Sequence, residues 1–124
     1  MKVRILGNSI RFRLKKPEVS QFEKEGSVTE TIEFGPEPAD QIHFCLQKHT
    51  GPELAVSFHA NTSTIKVPQP LAQDWTQTDR VGFDGKVDTG KGRTINVLVE
   101  KDFMCIDGGE ADNEGAYPNP MANC

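Results

Sequence analysis

Residues 1 to 14 read MKVRILGNSIRFRL, a run in which basic and apolar residues alternate on both sides of Gly7-Asn8. Alternation with a period of two is the pattern of a strand with one buried and one wet face. With Gly7-Asn8 as a two-residue turn, Ile5 faces Ile10 and Val3 faces Phe12, so apolar side chains meet apolar side chains. A slip of one residue would put Phe12 in water, and the pattern therefore fixes its own register. The same register sets Arg4 opposite Arg11 and Lys2 opposite Arg13. Like charges placed directly opposite destabilise a strand pair, so this ladder demands compensation.

The alternation continues along the chain. Pro17 to Glu25 reads as a short helix, with Val19 and Phe22 on one face and Gly26 as its stop, followed by a strand from Val28 to Phe34. Ile42, Phe44 and Leu46 alternate with His43 and Cys45, and Leu54, Val56 and Phe58 with Ala55, Ser57 and His59, which predicts the two arms of a hairpin around Gly51. A turn at Asn61-Thr62 would extend this to a three-strand meander, with Phe58 opposite Ile65 and Val56 opposite Val67. Pro70 can start a second short helix, Leu71 to Thr76, and strands follow around Val81 and Phe83 and around Ile95, Val97 and Val99. The glycine-rich connection from Asp84 to Arg93 reads as a flexible loop between them. No repeat of solenoid type is visible.

The expected fold is mainly β (α+β), an antiparallel, barrel-like or strongly curved sheet of about eight strands with two short helices. Residues 1–103 form one domain. Residues 104–124 form an acidic, glycine-rich extension that either wraps that domain or stays disordered.

Composition narrows the function classes. The chain has 124 residues, 26% of them charged, and no apolar run long enough to cross a bilayer. Its start lacks the apolar core of a signal peptide, and three scattered cysteines suit a reducing cytoplasm. A bridge between Cys105 and Cys124 stays open, and Asn61-Thr62-Ser63 reads as a turn, not a glycosylation acceptor.

Two candidate sites emerge. One is the basic ladder Lys2, Arg4, Arg11 and Arg13, with Glu33 and Glu100 as compensating carboxylates by parity and an anionic small molecule or protein partner as the functional reading. Aromatic residues are few, at 7%, and none interleaves with these bases on the same face, which argues against a nucleic-acid partner. The other is His43, Cys45 and His59, which share a face. If His43 lay opposite His59 and Cys45 opposite Ser57, two imidazoles and a thiolate could hold zinc and support a small metal-dependent enzyme. Against this stand a spacing unlike any zinc signature and the ordinary polarity of an outer sheet face. Gly85 to Gly92 imitates the start of a phosphate loop, but Gly92 stands where a serine or threonine is needed and a strand follows in place of a helix. Asp107, Glu110, Asp112 and Glu114 lack the spacing of a calcium loop. The balance favours a small non-catalytic binding module, as a monomer or a homodimer.

Three stretches, MKVRILGNSIRFRL at 1–14, VLVEKDFMC at 97–105 and YPNP at 117–120, resemble a family of short, uncharacterised bacterial proteins. The resemblance spans most of the chain and implies a bacterial, cytoplasmic protein. It carries over no catalytic residue, substrate or cofactor.

Overall fold

The computed structural model describes residues 1–103. Strands β1 (Lys2–Ile5) and β2 (Ser9–Leu14) lead into helix α1 (Lys16–Glu25), followed by β3 (Ser27–Glu33) and β4 (Gln41–His49). Strands β5 (Ala55–His59) and β6 (Thr62–Pro68) then lead into α2 (Gln69–Gln77), followed by β7 (Gly82–Gly90) and β8 (Arg93–Lys101). The order ββαββ thus occurs twice. Pro17 and Pro70, Phe22 and Trp75, and Lys48 and Lys101 occupy matching places in the two halves. This duplication is not a solenoid, and the matched residues share size and polarity more than identity.

The strands form two four-stranded sheets, ordered β1-β2-β8-β7 and β3-β4-β6-β5. Exchanging the halves turns one order into the other, so each sheet joins a hairpin from the first half to a hairpin from the second. The outer pairs are antiparallel, but the central pairs β2–β8 and β4–β6 are parallel. The expectation of a purely antiparallel, barrel-like sheet is therefore corrected to two open mixed sheets. The meander is corrected as well, because β6 lies between β4 and β5. Side-chain parity cannot foresee this: it says which face a residue occupies, and a parallel neighbour satisfies it as well as an antiparallel one.

The first hairpin has the register that its alternation dictates, Val3 with Phe12, Arg4 with Arg11 and Ile5 with Ile10. Gly7, at φ +57°, supplies the positive dihedral at the first central position of the turn, and Leu6 and Ser9 exchange both backbone hydrogen bonds at 3.2 and 3.1 Å. The β5–β6 turn is instead Ala60-Asn61, with φ 51° and 60°, and Phe58 pairs with Ser63 and Val56 with Ile65. The turn thus lies one residue before the expected Asn61-Thr62, which moves each pairing partner by two and preserves the faces. Most of the supposed glycine-rich loop is strand: β7 runs to Gly90, and the turn occupies Gly90, Lys91 and Gly92 at positive φ.

Parallel pairing in both sheets brings all four hairpin turns to one end and both helices to the other. There Trp75 stacks edge-on against Phe22 at 6.0 Å and Phe83 at 5.4 Å, and its indole N–H donates to the Val81 carbonyl at 3.0 Å. Phe12, Leu14, Leu46, Ile65, Val67, Val97 and Val99 fill the space between the sheets. At the opposite end the described residues place only the short 3-10 turn Pro38–Asp40, and Ile5, Ile32, Ile42 and Phe58, which share the core-facing parity, are exposed.

The Met1 ammonium ties the sheets together, donating to Glu18 on α1 and, at 2.7 Å, to Glu30 on β3. Partial burial pulls its pKa down, but the hydrogen bonds and charges of Glu18 and Glu30 outweigh this and hold it above the ordinary 8.0. A folded-state pKa above the unfolded one gives stability that is complete below about pH 8 and lost as pH rises through the raised value. Urea unfolding of protein with its native amino terminus should therefore show stability declining above that pH, with a shallower decline in Glu18→Gln.

Two single substitutions probe the backbone in opposite directions. A Cβ on Gly82 would lie 2.3 Å from the Val99 carbonyl oxygen, so Gly82→Ala must displace β7 from β8. A loss of about 2–4 kcal/mol is expected, the size of an overpacking clash. Ala60→Gly relieves a left-handed residue and should be neutral or stabilising by up to about 1 kcal/mol. Thermal denaturation of both variants checks the pair.

Candidate functional site

The outward residues of the first sheet form four rows across its strands. Lys2, Arg13, Glu100 and Gly82 make the first, Arg4, Arg11, Leu98 and Asp84 the second, Ser9, Asn96 and Lys86 the third, and Thr94 and Asp88 the fourth. Five bases thus share this face with three carboxylates, on a chain whose net charge is -4. A groove of about 560 Å³ follows the second and third rows, lined by Arg4, Arg11, Asp84, Lys86, Asn96 and Leu98 among others.

One carboxylate holds the ladder together. The Glu100 Oε1 atom lies 3.5 Å from the Arg13 Nε and 3.7 Å from the Arg11 Nε, and these side chains are only 19%, 20% and 26% exposed for Arg13, Arg11 and Glu100. Partial burial strengthens such a bridge relative to one in bulk water. Lys2 Nζ lies 3.2 Å from Asp102 at the end of the first row. Glu100 thus plays the compensating part that parity assigns it. Glu33 does not, because it stands on β3 in the other sheet, opposite Gln41.

The duplicated architecture supplies an internal comparison. In the second sheet the row matching Arg4, Arg11, Leu98 and Asp84 is Ser57, Thr64, Cys45 and Thr29. The row matching Lys2, Arg13 and Glu100 is Ala55, Lys66 and Gln47. The two faces have the same strand pairing and the same registers. One is nearly neutral and rich in hydroxyl groups, whereas the other concentrates guanidinium groups. Packing and pairing therefore do not demand the arginine ladder.

The structure separates the second set of candidates. His43, Cys45 and His59 do share the outer face of the second sheet, but β6 intervenes: His43 and His59 both pair with Thr62, from opposite sides, and Thr64 lies between Cys45 and Ser57. The hairpin that would have set His43 against His59 does not exist. His43 Nδ1 instead hydrogen-bonds Thr31 Oγ1 at 2.8 Å, and Cys45 is a half-buried free thiol. Among the described residues, no group of three or more His, Cys, Asp or Glu side chains is placed to hold a metal ion.

The segment that imitates a phosphate loop closes the β7–β8 hairpin, where Asp88 accepts a hydrogen bond from the Gly90 N–H at 2.8 Å. The possible Cys105–Cys124 bridge, the calcium reading of the acidic tail and the tail's placement all lie outside the described residues. Sequence reasoning missed Lys86, Asn96 and Ser9 as parts of the basic face. Phe83 and Val87, both buried around exposed Asp84 and Lys86, carried the strand signal that its glycines obscured.

Among the described residues no helix is long and apolar enough to cross a membrane. No curated protein and no solved structure matches the chain. A family model does, over residues 1–121 and so over the hairpin, both sheets and most of the tail, and the chain accordingly belongs to the family of unknown function DUF7009.

Proposed function

We propose that this protein is a small non-catalytic binding module that holds an anionic group, on a small molecule or a protein segment, against the basic face of its first sheet. The contrast between the two matched faces supports the reading most directly. One scaffold carries both, and only one of them sets Lys2, Arg4, Arg11, Arg13 and Lys86 on one face, with Glu100 bridging Arg11 and Arg13. Arg4 and Lys86 are exposed and border the groove from β1 and β7, so an anion seated between them would meet donors from both sides. None of the four rows contains an aromatic residue, and a base would find no ring to stack on. A carboxylate-rich or phosphate-bearing partner fits better than a nucleic acid. The setting we propose is the bacterial cytoplasm.

Fluorescence anisotropy with a labelled octaglutamate peptide at low salt tests this. Arg4→Ala combined with Lys86→Ala should weaken binding at least ten-fold, since each charge-assisted hydrogen bond contributes about 1.5–3 kcal/mol. Binding should also fade at high ionic strength. Lys66→Ala, on the outer face of the second sheet, should leave it unchanged. Equal affinity in the double variant and the parent protein would refute the assignment.

A further inference from the structure

We propose that the acidic C-terminal segment of this same chain, residues 104–124, docks on the basic face and competes with the anionic partner there. The inference rests on reading that face as an anion site. It adds an occupant and a mode of regulation.

Charge is the first argument. Of the eighteen Asp and Glu residues, four lie beyond residue 103, namely Asp107, Glu110, Asp112 and Glu114, and no Lys or Arg follows Lys101. The remaining fourteen acids match the fourteen bases, so residues 1–103 are neutral overall and the whole net charge of -4 belongs to the segment. Within that neutral body the first sheet's outer face carries an excess of positive charge, five bases against three acids. The segment and the face are therefore complementary in charge.

The point of departure is the second argument. After β8 the chain does not run off into solvent away from this face. The Asp102 N–H donates to the Leu14 carbonyl at 2.8 Å, and the Asp102 carboxylate lies 3.2 Å from Lys2 Nζ. The backbone thus crosses the end of β2 toward β1 and stands beside the first basic row when it reaches Phe103.

Distance is the third. A flexible chain spans roughly 5–6 Å times the square root of its residue number, so Asp107, five residues past Asp102, ranges about 12 Å from it. Successive outward residues on a strand are roughly 7 Å apart, which puts the Lys2–Arg13 and Arg4–Arg11 rows both inside that range. A tether this short gives an effective concentration on the order of millimolar, enough to reduce the apparent affinity of a weak competing anion about ten-fold.

The test keeps the full chain and neutralises the segment with Asp107→Asn, Glu110→Gln, Asp112→Asn and Glu114→Gln together. The octaglutamate peptide should bind this variant about ten-fold more tightly than it binds the parent protein at low salt, and the difference should vanish at high salt. In the parent protein a zero-length carbodiimide cross-linker should join Lys2 to a carboxylate of the segment within one chain, with the Lys2–Asp102 product as the internal control of the reaction. Equal affinities, or a Lys2–Asp102 product without any link from Lys2 to the segment, would overturn the docking while leaving the anion site in place. Failure of both proteins to bind the peptide would overturn the anion site itself, and the docking with it.

Discussion

The parallel pairing of β2 with β8 governs this molecule. Ile10, Phe12 and Leu14 lie beside Val97, Val99 and Lys101, so the innermost strands of the first sheet come from opposite ends of the described chain. The β4–β6 pair performs the same task in the second sheet, with Leu46 beside Ile65 and Lys48 beside Val67. Each ββαββ half contributes one hairpin to each sheet and cannot complete either alone. An isolated hairpin is at best marginal in water, and stability arrives only when both four-stranded sheets and the two helices enclose a common core. Phe22 and Trp75, matched residues of the two halves, meet in that core and close the end of the sandwich from which both helices depart.

The same pairing makes the basic face a composite. Lys2, Arg4, Arg11 and Arg13 come from the first fourteen residues, while Glu100, Asn96 and Lys86 come from the last hairpin. The repulsion written into the first hairpin is offset by a carboxylate that is remote in sequence and adjacent in space. Asn8 reinforces this junction at the turn end, donating to the Thr94 carbonyl at 2.6 Å while its own carbonyl accepts from the Asn96 N–H. The Arg11–Arg13–Glu100 group is thus both part of the fold's electrostatic balance and the base on which the outer donors Arg4 and Lys86 are held.

Much of this was legible in the sequence, and what was not has a common cause. The register of β1–β2 could be read residue by residue because Gly7-Asn8 leaves one pairing that satisfies every apolar side chain. The helices could be read from Pro17, Pro70 and the placement of Phe22 and Trp75. Parity also assigned Glu100 to the arginines and put His43, Cys45 and His59 on one face. Parity is local, however, and does not say which strand lies next to which. The imagined zinc site needed β4 and β5 to be neighbours, and β6 separates them. The turn at Ala60-Asn61 hid because alanine is a poor signal for positive φ, and β7 hid because Gly82, Gly85 and Gly90 imitate a loop. Gly82 in particular is there for space, as the Val99 carbonyl occupies the position a Cβ would take.

Duplication gives the strongest reason to treat the arginine ladder as something other than a by-product of folding. In most proteins a charged sheet face can be explained away as the ordinary solvated side of an amphipathic strand. Here the alternative is present in the same molecule: the second sheet meets identical demands of pairing, register and core packing with Ser57, Thr64, Thr29 and Thr31 on its outer rows. Hydroxyl groups satisfy water without setting like charges against each other, so the neutral solution is the less costly one for stability. Setting Arg4 against Arg11 and Lys2 against Arg13 carries a repulsive cost that the first sheet offsets with Glu100 and Asp102 and that the second sheet never incurs. Costs of this kind concentrate where a surface must bind, because the field that repels the protein's own bases is the field that attracts an anion.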